Sequence, residues 1–135
     1  MKVDRSIEFR YHAERSHFFA VLFPAAGEAE MQKMVRLKKG EHRKANHHCW
    51  AFRSLDEKGN RIEKSRDDGE VGHPGRVLLE LLRHYDLEGG LLVSRVFGGV
   101  KLGGGGVSRA FRAAASGALE VFFASKEQPS PKMQK

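Results

Sequence analysis

The residues best suited to chemistry lie between Arg95 and Arg109, in the run RVFGGVKLGGGGVSR. Gly98, Gly99, Gly103, Gly104, Gly105 and Gly106 surround one lysine, Lys101, and Arg95 and Arg109 flank them. Glycine takes positive φ without strain and leaves its N–H uncovered. An apolar run precedes this loop and an amphipathic stretch follows it, so the order reads strand, loop, helix. A loop feeding a helix start presents unpaired N–H groups and partial positive charge, which suits a phosphate. The alternative is a tight turn that serves close strand-to-helix packing. The spacing is neither GxxxxGK[ST] nor GxGxxG, so neither of those nucleotide-binding mechanisms is supported.

Three further clusters carry charge. Arg36, Lys38, Lys39, Arg43, Lys44 and His47 form a basic patch, read either as a solvated helix face or as a phosphate-binding surface to which Lys38, Arg43, Lys44 and His47 contribute. Asp67, Asp68 and Glu70 form an acidic knot that would pair with local arginines, cap the next helix, or hold a magnesium ion. His42, His47, His48 and Cys49 invite a zinc reading, but adjacent strand residues point to opposite faces, so His48 cannot join His47 and Cys49. No metal site, cofactor or catalytic residue is expected. No pairing of nucleophile and base is recognisable.

The elements that must position these groups follow from periodicity. Ile7, Phe9 and Tyr11 alternate with polar residues over 7–12, and 18–23 is continuously apolar up to Pro24; both predict strands. Alternation of Trp50 and Phe52 predicts a third strand over 47–54, its aromatics facing the core, and Leu91 to Phe97 predicts a fourth. Helices are predicted over 27–39, with Gly40 as its stop, over 75–85 after Pro74, and over 106–122, where Val107, Ala110, Phe111, Ala114, Ala118 and Phe122 face inward. The segment 55–75 reads as a long surface loop. The tail after residue 124 holds prolines and no apolar stripe, so a domain over 1–124 and a disordered tail over 125–135 are expected.

At 135 residues the chain suits one domain. No run is long enough for a transmembrane helix, no apolar signal core opens the chain, and a single cysteine excludes an internal disulfide. These features predict a cytoplasmic protein. A formal charge of +7 favours a polyanionic partner.

Four stretches, ERSHFFA, HRKANHHCWAF, RDDGEVGHPGRVLLELL and above all RVFGGVKLGGGGVSRAF, resemble the Impact family, which includes the YigZ-type bacterial proteins. They span Glu14 to Leu119. The resemblance implies an α+β fold like the second domain of ribosomal protein S5: a four-stranded mixed sheet, helices on one face, and a left-handed crossover. Where the family's acidic motif usually reads DDGEPSGTAG, this chain has DDGEVGHPG, with Val71 in place of proline, and Val96 stands where tyrosine is usual. Family members commonly carry a second domain, so the chain is read as the core module alone. The resemblance implies a non-enzymatic binding module in translation or its regulation, holding RNA or a ribosomal surface through the basic glycine-rich face. Two alternatives stand beside it: a phosphate-handling enzyme with Lys101 on phosphate and Asp67, Asp68 and Glu70 on a metal, and a module that binds a protein partner in translational control.

Overall fold

The computed structural model describes residues 1–127, arranged as five strands and three helices. The strands are β1 (Ile7–Ala13), β2 (Ser16–Phe23), β3 (His47–Leu55), β4 (Arg61–Arg66) and β5 (Gly89–Val96); the helices are α1 (Glu28–Glu41), α2 (Pro74–His84) and α3 (Gly103–Glu127). The sheet runs in the order β1-β2-β5-β3-β4, and every neighbouring pair is antiparallel. Its centre, β5, carries the apolar run Leu91 to Val93, fully buried on both faces.

Three features differ from the sequence expectation. The sheet has five strands rather than four, and its strand pairs are antiparallel rather than mixed. The additional strand, β4, lies inside the segment read as loop. Its side chains are mostly exposed, so it has no apolar signature and is held by backbone pairing with β3 from Trp50↔Arg66 to Leu55↔Arg61. The connecting turn is closed by Asp56, whose Oδ1 accepts from the amides of Lys58 and Asn60.

Nor do the helices share a face. α2 and α3 cover one side, where Phe18, Leu22, Leu78, Leu82, Phe111 and Phe122 form the larger core. The inward positions read for α3 are all buried, and Phe18 meets Phe111 edge to face with ring centroids 5.2 Å apart. α1 crosses the other side, over Val21, Phe23, Trp50, Phe52 and Leu92. Alternate residues of β2 and β3 therefore bury toward different layers, and both strands read as nearly continuous apolar runs.

Element ends shift where glycine misleads. Gly40 lies inside α1, and Gly89 and Gly90 are strand residues pressed against Val3 and Phe23 rather than the end of a connection. α3 begins at Gly103 and continues to Glu127, so the first residues of the expected tail are helical; the rest of it, 128–135, lies outside the described residues. Among the described residues no helix is long and apolar enough to cross a membrane.

Candidate functional site

One end of the sheet gathers most of the charged segments. There β3 starts and β5 ends side by side, with His47 opposite Arg95 and the Asn46 amide on the Arg95 carbonyl at 2.8 Å. The β1–β2 turn, Glu14 and Arg15, closes the same end, and the glycine loop leaves from it. Gly98 donates its amide to Ser16 Oγ at 3.1 Å, and a side chain at Gly98 would overlap the Arg15 backbone. That amide is therefore spent on the scaffold and not open to a phosphate.

The rest of the loop is open. Gly99 and Gly103 have φ of +89° and +72°, and nothing lies within 4 Å of where side chains at Gly99, Gly103 or Gly104 would project. Lys101 is exposed, and the guanidinium of Arg109 lies back over Gly105 and Gly106, at the positive end of α3. No acidic residue occupies that first turn. Cations at a helix N-terminus repel the dipole, so an arriving anion relieves the arrangement. Lys101 and Arg109 also line a shallow cleft with Tyr11, Glu14 and Val100.

Arg43 and Lys44 stand exposed in the segment leading to β3, at this same end, and form no ion pair among the described residues. Three basic residues singled out in the sequence are already engaged. Lys38 is buried and bonded to Glu8 and to Glu41, the latter at 2.9 Å. Burial by itself would lower the pKa of its ammonium, but these two carboxylates outweigh burial and raise it. Arg95 is buried, pairs with Glu70 at 3.1 Å, and lies over the rings of Phe18 and Phe97. His47 is half-buried and turned inward: its Nδ1 is 2.8 Å from the Asp68 carbonyl. Lys38, Arg95 and His47 are therefore parts of the scaffold.

The acidic knot is equally committed. Asp67 Oδ1 accepts from the Gly75 amide at 2.8 Å, capping α2, and its carbonyl accepts from the Cys49 thiol at 3.0 Å. Asp68 Oδ2 accepts from the His48 amide at 2.8 Å, and Glu70 neutralises Arg95. Gly72, at φ +81°, brings the loop onto α3, where a side chain would overlap the Gly104 carbonyl and where Ser108 donates to the Gly72 carbonyl. Cys49 is fully buried, and burial raises its thiol pKa far above the ordinary value, so it is inert.

Sequence reasoning missed Arg15, which the two-residue turn between β1 and β2 places at this end, exposed and with φ of +69°. Phe97 is 46% exposed beside the loop, and Phe111 is core. Arg112 lines a groove with Val77, Leu81 and Tyr85 between α2 and α3.

With this geometry in hand, comparisons with known proteins are informative. The model of the Impact N-terminal domain matches residues 14–119. The chain is 37% identical over 100 residues to IMPACT family member YvyE of Bacillus subtilis, covering 73% of this chain and 45% of that protein. It is also 37% identical over 107 residues to an IMPACT family member of Thermus thermophilus, covering 78% and 56% respectively. The chain thus spans about half the length of these relatives. Among solved structures, a crystal structure of a hypothetical protein superposes with a TM-score of 0.80 at 27% identity, over 87% of this chain and 58% of the other. The two-domain translational regulator Yih1 superposes with a TM-score of 0.51 at 27% identity, over 89% and 46%.

Proposed function

The chain belongs to the Impact family, and on that premise we propose that it is a non-enzymatic binding module in translation or its regulation, acting in the cytoplasm and holding RNA, free or on the ribosome. The observation that carries this reading is the set of cations that have no carboxylate partner among the described residues, at one end of the sheet: Arg15, Arg43, Lys44, Lys101 and Arg109. They surround open glycine amides and one exposed ring, Phe97, which suits a base stacked beside a tracked phosphate backbone. Similarity to a translational regulator supports the placement in translation. The enzyme alternative would need Asp67, Asp68 and Glu70 free for a metal, whereas each already holds a protein group.

The test is binding of a single-stranded RNA across a salt series. Log affinity should fall linearly with log salt, with a slope of about −0.7 per phosphate neutralised. Lys101→Glu should weaken binding at least tenfold with the fold intact, while Lys58→Glu, in the turn at the opposite end of the sheet, should change it little. A flat slope, or equal effects of the two reversals, would favour the protein-partner reading.

A further inference from the structure

On the face covered by α1, away from the glycine loop, a second cavity of about 180 Å³ lies between the helix and β3–β4. A single water needs only about 10–15 Å³ of such space, so the cavity has room for a small ligand. Its lining is mainly polar. Lys39 enters from α1, Arg66 from the end of β4, and His48 and Trp50 from β3, with Asp68 at its edge. Lys39 and Arg66 are exposed and form no ion pair among the described residues. His48 is only 6% exposed. Its Nδ1 lies 2.7 Å from Ser94 Oγ, itself fully buried, which fixes the ring; Nε2 has no protein partner among the described residues.

A neutral imidazole whose Nδ1 accepts from the Ser94 hydroxyl carries its proton on Nε2. A guanidinium, an ammonium and an imidazole N–H from three separate elements then converge on one space. That donor set suits an oxyanion, and its two cationic members match the double charge of a phosphomonoester better than the single charge of a carboxylate. Asp68 spends Oδ2 on the His48 amide, and its other oxygen is available to accept from a hydroxyl. Burial lowers the His48 pKa, so the ring enters as a neutral donor and leaves the two exposed cations to supply the charge.

We propose that this cavity is a binding site for a phosphomonoester that carries a hydroxyl group, with Arg66, Lys39 and His48 on the phosphate and Asp68 on the hydroxyl. Such a group comes from a free phosphorylated sugar or from the 5′ end of an RNA. The site lies on the opposite face of the sheet from Lys101, and Lys101→Glu should leave it unchanged.

Trp50, the only tryptophan in the chain, lines the cavity and reports occupancy. Titrating the full chain with ribose 5-phosphate at constant ionic strength should change its fluorescence saturably, and ribose should not. Competition by a 5′-phosphorylated but not a 5′-hydroxyl oligoribonucleotide would assign the site to RNA ends; its failure, with ribose 5-phosphate still binding, would assign it to a free metabolite. Arg66→Met and Lys39→Met should each raise Kd at least tenfold while the thermal midpoint stays near that of the parent, because both side chains are exposed. The proposal is overturned if neither phosphorylated probe binds saturably by fluorescence or calorimetry, or if both variants bind ribose 5-phosphate as the parent does.

Discussion

The loop from Asp67 to His73 and the loop from Phe97 to Leu102 each hold two glycines and are joined through Gly72 and the first turns of α3, yet they use charge in opposite ways. In the first, every carboxylate holds a protein group: Asp67 the start of α2, Asp68 the His48 amide of β3, Glu70 the Arg95 guanidinium. In the second, Lys101 meets no carboxylate within the described residues, and Gly99, Gly103 and Gly104 face open space among them. A charge with a buried partner fixes the fold, and one without a partner is available to a ligand. The acidic loop therefore acts as the clamp that sets the glycine loop in place.

The sharpest way to break this contrast is Glu70→Ala. The Glu70 and Arg95 side chains are only 4% and 7% exposed, so the change strands a buried guanidinium and should cost about 3–5 kcal/mol in urea denaturation. A loss under 1 kcal/mol would show that Arg95 has another route to water.

Next in size is the open loop. The double reversal Lys44→Glu with Lys101→Glu should cost more than the tenfold expected of Lys101→Glu alone, that is, more than about 1.4 kcal/mol of RNA binding, with denaturation unchanged. Lys38→Met should show the opposite pattern, reduced stability with RNA affinity retained, because its ammonium already belongs to Glu8 and Glu41.

Asp67→Ala removes the cap from Gly75 and should lower stability by about 1 kcal/mol without altering RNA affinity. If affinity fell tenfold while stability held, the acidic loop would belong to the binding surface after all.

The smallest effect concerns Glu63 on β4, a carboxylate engaged outside both loops. Hydrogen bonds from Arg83 and Arg53 lower its pKa from an ordinary 4.5 to about 2. A depressed carboxylate stabilises the fold above its unfolded value, and that contribution is lost as pH falls from about 4.5 toward 2. Glu63→Gln should flatten the acid limb of thermal midpoint against pH over that window. An unchanged limb would leave acid sensitivity to the clamp carboxylates.

Much of the fold was legible because its causes are local. The alternation at Ile7, Phe9 and Tyr11, the run Phe18 to Phe23 and the stripe of α3 each state a period and a buried side within a few residues. The glycine loop was legible for the same reason, since conformational freedom and charge are written into consecutive positions. β4 was not legible, because an edge strand is held by its neighbour's backbone and needs no apolar side chains. The seating of α1 on the opposite face was also hidden: β2 and β3 bury both their sides, so their sequences do not tell which helix covers which.

The sequence by itself determined which residues carry charge and, β4 apart, which segments form strands and helices. Only the tertiary structure decided which charges are free. Lys38 and Lys101 are alike in sequence, but Glu8, thirty residues from Lys38 and on β1, engages the first, and no described carboxylate reaches the second. Coulomb energy depends on distance in space and on exclusion of water, and the chain sets both only when strands distant in sequence come to lie side by side.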